Sequence, residues 1–196
     1  MKLPESFYDR TNVVKIAREL LGKSLFTRVS GVLTGGLIVE TEAYSWKERG
    51  CHAYGGKRTP RNKIMFDRGG HAYVYLCYGM HNLFNVVTNS EGKADAVLIR
   101  ALEPTEGVKE MQRRRGNLQN PFHLTSGPGK LTKAMGIDRT FNGKFLLNRD
   151  VWIEDVGEVL KNTSIEVSQR IGIDYAGEDA LLPWRFTVKG NKWVSK

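Results

Sequence analysis

Glu40 and Glu42 stand two residues apart in "LIVETEAYSW", where an apolar run ends in acids and aromatics within an otherwise basic chain. If the run is a β-strand, alternation sets Ile38, Glu40, Glu42 and Tyr44 on one face, successive members about 7 Å apart. Such a face is either a strand end leaving the core for solvent or a carboxylate placed for chemistry. The chemistry open to it is to orient and deprotonate water, or to stabilise a developing cation beside an aromatic platform. These ten residues alone fit the plain strand end slightly better, and they do not separate the two glutamates.

Two later stretches supply a reason for a carboxylate. In "HAYVYLCYGMHNLFN", Tyr73 and Tyr75 share one strand face and Tyr78 falls at the strand end, before Gly79. Aromatics on a sheet face stack nucleobases at about 1–3 kcal/mol per base, and a side chain at a tight turn can wedge into a base stack. An ordinary aromatic core would read the same way. In "GGKRTPRNKIMF", Lys57, Arg58, Arg61 and Lys63 are interleaved with Thr59 and Asn62, a mixture that neutralises and positions phosphates. A solvated charged loop is the plain alternative.

Other patterns carry less. "TSGPGKLTK" fails the phosphate-loop pattern, because Leu124 holds the first glycine position and Leu131 follows the lysine. It still places Gly129 and Lys130 at a helix start, a generic anion site. Arg113, Arg114 and Arg115 read as a solvated helix end. Cys51, His52, His71, Cys77 and His81 lack the spacings of a metal site, so no metal is expected. Neither the zinc-deaminase signature nor a G-x-S-x-G elbow occurs.

The elements that must position these groups follow from patterning. The 196 residues suit one domain with a core of its own. Lys and Arg number 30 against 21 Asp and Glu, for a net charge of +9, which suits a polyanionic partner. The two cysteines predict free thiols in a reducing compartment. With no apolar leader and no run long enough to span a bilayer, neither secretion nor membrane insertion is expected.

"TNVVKIARELLGK" predicts a helix capped by Thr11 and stopped at Gly22. "SLFTRVSG" and "VLTGGLIVETEAY" predict strands, with a turn or bulge at Gly35-Gly36. Residues 47–70 predict a long exposed loop. Strands follow on both sides of Gly79-Met80 and again into Arg100. Pro104 predicts the first turn of a helix, and a shorter helix follows Pro128. "DVWIED", "SIEVSQRIGI" and "WRFTVKG" close the chain as strands. The sum is an α+β fold, a single domain with a curved, mostly antiparallel sheet and surrounding helices.

In order along the chain, "IVETEAY", "HAYGGKRTPRN", "YVYLCYGM", Asn85, "VLIRALEP", "SGPGKL" and "RFTVKG" resemble the alkyladenine (3-methyladenine) DNA glycosylase family. The resemblance runs nearly the whole length. It implies a monofunctional hydrolase of base excision repair that flips a damaged purine out of duplex DNA and hydrolyses its N-glycosidic bond. It implies no cofactor and no lyase step, because no lysine nucleophile is among the matched positions. The substrates implied are 3-methyladenine and 7-methylguanine, with hypoxanthine and ethenoadenine as further candidates.

Residue by residue, the resemblance makes Glu42 the activator of water, Glu40 structural, and Arg100 the support of the Glu42–water arrangement. Tyr44, His52 and Tyr75 would line the base pocket, and Asn85 would disfavour the 2-amino group of guanine. Tyr78 would fill the hole left in the duplex, with Met80 and His81 facing the minor groove. Beside these, Lys57, Arg58, Thr59, Arg61 and Lys130 are expected on the DNA backbone from their own charge and donor pattern. An aromatic pocket also binds a cationic alkylated purine better than its neutral parent.

Two positions depart from the family pattern: the loop between Tyr44 and His52 is one residue shorter than in vertebrate members, and His81 replaces an aromatic found in some members. The chain also starts directly at the domain, without the long N-terminal extension of eukaryotic members, which suggests a bacterial protein; a cytoplasmic, nucleoid-associated place is then expected. The expected partner is damaged double-stranded DNA, bound by a monomer. The competing readings are a non-catalytic nucleic-acid-binding module built on the tyrosine face and basic loop, and a metal-dependent nuclease using Glu40 and Glu42.

Overall fold

The computed structural model describes residues 1–158 and 160–195. Two short helices, α1 (Glu5–Tyr8) and α2 (Val13–Glu19), precede β1 (Ser24–Val29) and β2 (Val32–Tyr44). The hairpin β3 (Ala72–Cys77) and β4 (His81–Thr88) leads to β5 (Asp95–Glu106), then α3 (Val108–Arg115) and α4 (Pro128–Met135). Three short strands, β6 (Val151–Glu154), β7 (Ile165–Ser168) and β8 (Arg185–Val188), end the chain. The fold is α+β, a single domain around one open sheet of eight strands, in which every described pairing is antiparallel.

The sheet runs β3-β4-β5-β2-β1-β6, with β7 joined through β8. The thirteen residues of β2 organise it. β5 flanks β2 along one edge; on the other edge, β1 pairs with residues 32–37 and β8 with residues 40–42. Gly35-Gly36 marks a bulge within one continuous strand. A side chain at Gly36 would put its Cβ 2.5 Å from the Glu103 carbonyl, which requires glycine there.

The main core lies between the sheet and the helices. Ile38, Phe84, Ile99 and Leu102 from the strands meet Ile16, Met111 and Leu131 from the helices, all fully buried. Burial of each such side chain contributes about 1.5–3 kcal/mol. Thr41 Oγ1 donates to the Ala17 carbonyl at 2.8 Å, tying α2 to the C-terminal part of β2.

Several local expectations need correction. Asn12, not Thr11, caps α2, its side chain accepting from the Lys15 N–H at 2.9 Å. Pro104 lies inside β5 opposite Gly36, where the bulge accommodates its missing N–H, and α3 begins only after Gly107. "SIEVSQRIGI" is a strand only through Ser168.

Residues 47–70 are not simply exposed. They contain two short 3₁₀ turns and bury Cys51, Ala53, Met65 and Phe66 in a second apolar cluster with Tyr73, Val87 and Ala96. Asn62 staples this loop, donating to the His52 and Lys57 carbonyls and accepting from the Thr59 N–H. Of the three arginines ending α3, only Arg113 is a solvated helix end. Arg114 reaches the Ala134 carbonyl and Arg115 those of His123 and Leu124, clamping α3 to the segment before α4 and to α4 itself.

Candidate active site

Both glutamates of β2 are fully buried, so the solvated strand end is excluded. The burial is made possible by a double irregularity. The register passes from Ile38↔Leu102 to Glu40↔Ala101 and then to Thr41↔Ile99, leaving Val39 and Arg100 each without a partner. A bulge of this kind re-aims side chains. Here Arg100 Nε donates to Glu40 Oε1 at 2.9 Å and Nη1 to Glu42 Oε2 at 3.2 Å. The guanidinium therefore occupies the space between the two carboxylates, where a metal-dependent nuclease would need its ion.

The two carboxylates differ in what surrounds them. Glu40 accepts from Arg100, from Arg185 Nε at 2.8 Å, and from the Ser195 N–H and hydroxyl at 2.7 and 2.8 Å. Burial pushes its pKa up, but Arg100, the Ser195 N–H and Arg185 together hold it below the ordinary carboxylate value. Burial likewise opposes the charge of Arg100, and Glu42 and Glu40 outweigh that effect to strengthen it.

Glu42 accepts the Ile171 N–H at 2.8 Å on Oε1, and on Oε2 the Tyr44 hydroxyl at 2.8 Å together with Arg100. A carboxylate offers about four acceptor positions, so one on Oε1 is unused. Burial and the adjacent Glu42 push the Tyr44 hydroxyl well above its ordinary range, so it remains a neutral donor.

Tyr44, Arg100 and Ile171 are also wall residues of a cleft of about 820 Å³. His52, Tyr73, Tyr75 and Asn85 line the same cleft. Tyr73 and Tyr75 stack with ring centroids 5.3 Å apart, and His52 meets Tyr75 edge-on at 4.6 Å. His52 Nδ1 lies 2.9 Å from the Tyr73 hydroxyl. Burial, aided by the charge of Arg61, lowers the His52 pKa to about 4, so the imidazole is neutral at pH 7. Asn85 donates to the Tyr73 carbonyl at 3.1 Å.

Two of these rings already carry a cation: Arg170 lies 4.7 Å from the Tyr44 centroid and Arg61 lies 4.9 Å from that of Tyr75. A cation already held against a ring weakens that ring's attraction for a second cation.

Nearer the solvent, Tyr78 and His81 line the cleft at the β3–β4 turn, and Arg61 and Lys130 face it from the loop and from α4. Tyr78 is 85% exposed with φ +50°, a left-handed conformation unusual for a bulky residue. Met80 is exposed at the same turn but outside the cleft wall, as are Lys57 and Arg58. The Thr59 hydroxyl is bonded to Asn62 and does not reach the cleft. Among the described residues, no group of three or more His, Cys, Asp or Glu could hold a metal ion. No helix there is long and apolar enough to cross a membrane.

The residues sequence patterning missed are Glu48, Arg170, Ile171, Tyr175, Arg185 and Ser195. They come from a charged loop and from the chain's last segment, and those of the last segment meet β2 or the cleft through long-range contacts. "RIGI" after a short strand offers no periodic signal of its own.

The methylpurine-DNA glycosylase family matches this chain over residues 6–192. A relative from Carboxydothermus hydrogenoformans is 48% identical over 196 residues, covering all of both chains. One from Clostridium acetobutylicum is 46% identical over 205 residues, covering all of this chain and 98% of its own. One from Methanocella arvoryzae is 47% identical over 196 residues, covering 99% and 96%. Each bears the name "Putative 3-methyladenine DNA glycosylase".

Proposed function

This chain belongs to the methylpurine-DNA glycosylase family, and on that premise we propose that it excises 3-methyladenine and related alkylated purines from duplex DNA by hydrolysis. The observation that carries the reading is the Glu42 carboxylate, bonded to three groups of the walls of an aromatic cleft, with one acceptor position on Oε1 that no protein group fills.

In the proposed reaction, water bound at that position attacks C1′ of the deoxyribose. The N-glycosidic bond breaks, its electron pair leaves with the purine, and the proton of the water passes to Glu42. The carboxylate also stabilises the positive charge that develops on the sugar. Because Glu42 has no solvent-accessible surface, the water must enter between Tyr44, Arg100 and Ile171. Arg100 holds Glu42 against Glu40, whose own bonds are spent on anchoring β5, β8 and Ser195 to β2.

The flipped base would stack on Tyr44 and Tyr75 beside neutral His52, with Asn85 rejecting the guanine 2-amino group. Tyr78 would take the vacated place in the duplex, with Met80 and His81 in the minor groove and Arg61 and Lys130 on phosphates. The net charge of +9 supports such a partner.

The test is incubation with duplex DNA carrying 3-methyladenine. Free 3-methyladenine and an abasic strand that breaks only on alkali treatment are expected. A duplex bound but left intact would identify a binding module instead, and direct strand cleavage would contradict a monofunctional glycosylase.

A further inference from the structure

Arg170 is a buried cation that the proposed reaction does not use directly. Its side chain has no exposed surface, and its Nη1 and Nη2 donate to the Glu48 carboxylate at 2.7 and 2.8 Å. Glu48 is itself buried, with its Oε2 also accepting the Gly50 N–H at 2.7 Å. The same guanidinium lies between two rings, 4.7 Å from Tyr44 and 5.2 Å from Trp184. It donates further to the Ala43 carbonyl at 2.9 Å and the Asp179 carbonyl at 3.0 Å.

The next residue completes the pattern, because the Ile171 N–H donates to Glu42 Oε1 at 2.8 Å. Three consecutive positions of β2 are thus met by two consecutive residues of the last segment. Glu42 is held through Ile171, the Ala43 carbonyl through Arg170, and the face of the Tyr44 ring through Arg170.

A guanidinium buried only for stability could be replaced by apolar packing at little cost. This one instead packs on Tyr44 and anchors the segment whose Ile171 N–H holds Glu42, the two side chains on which the chemistry is proposed to depend. We infer that Arg170, oriented by Glu48, is a positioning residue that sets the Glu42 carboxylate and the Tyr44 ring in their working geometry without touching DNA. The inference rests on the glycosylase reading. The planar fork matters here beyond the charge, since lysine would keep one positive charge but lose the paired bonds to Glu48 and the flat contact with both rings.

The experiment compares the unmodified protein with Arg170→Lys and Glu48→Gln. It measures the single-turnover rate of 3-methyladenine release, the dissociation constant for a duplex with an abasic-site analogue, and the thermal melting curve. In both variants the rate should fall by roughly ten- to a hundredfold while duplex affinity changes by less than about threefold.

A rate within twofold of the unmodified protein, in either variant that melts as a folded chain, would overturn the inference. So would a loss of duplex affinity as large as the loss of rate. If Arg170→Lys does not fold, Glu48→Gln carries the same comparison alone. Absence of base release by the unmodified protein would instead defeat the glycosylase reading on which the inference rests.

Discussion

The acid end of β2 and the tip of the β3–β4 hairpin sit on one cleft and are built in opposite ways. At the acid end Glu40, Glu42 and Arg100 are buried and hold one another across β2 and β5, and the part-buried Arg185 of β8 bonds to Glu40. At the tip, Tyr78 is 85% exposed and strained at φ +50°, and Met80 is 72% exposed. The first arrangement would be costly to disturb, because removing one partner strands a buried charge. The second contributes little to folding, so a bulky aromatic held there against its conformational preference calls for a functional explanation.

The contrast can be broken most forcefully at Glu40. Replacing it by Gln leaves Arg100 and Arg185 without their common partner and should cost about 3–5 kcal/mol of folding stability, read as a lower denaturant midpoint. Unchanged stability would mean that the buried pair is not the anchor of the sheet.

At the tip the opposite result is expected. Tyr78→Asn should weaken binding to duplex with an abasic-site analogue by about 1–3 kcal/mol. Stability should stay within about 0.5 kcal/mol, since asparagine tolerates the left-handed conformation. A collapse of the melting curve would show that Tyr78 is a packing residue.

His52 lies between the two regimes. Its folded pKa is near 4 against an ordinary 6.5, so between those values the unfolded chain binds a proton that the folded chain does not. Stability should therefore fall as pH falls from 6.5 towards 4, and His52→Gln should flatten that slope in pH-dependent denaturant titrations. The smallest effects belong to the exposed loop: Lys57→Ala or Arg58→Ala should each reduce the salt slope of duplex binding by about one.

The two regions also differ in how they could be read from residues alone. The tyrosine hairpin was legible because alternation and Gly79 are local signals, and β3, β4 and their turn fall as expected. Glu40 and Glu42 were legible as a pair but not as distinct groups. What distinguishes them is Arg185, Ser195 and Ile171, more than a hundred residues away in the chain.

The bulge that aims Arg100 between them has no residue signature, since neither Val39 nor Arg100 is a bulge-forming type. The loop after β2 looked structureless because Asn62 and a small satellite cluster hold it, and neither follows a periodic pattern. Pro104 misled because a proline opening a helix and a proline at a strand bulge look alike without the partner strand.

Whether Glu42 takes the proton of water is decided by the effect of Glu42→Gln on single-turnover release of 3-methyladenine, with thermal melting of the same sample. Glutamine keeps an acceptor and the volume but cannot take a proton from water. The rate should be lower by about 10²–10⁴-fold in a protein that still melts cooperatively and still binds the lesion duplex. Release at the unmodified rate by folded Glu42→Gln would contradict proton transfer to Glu42.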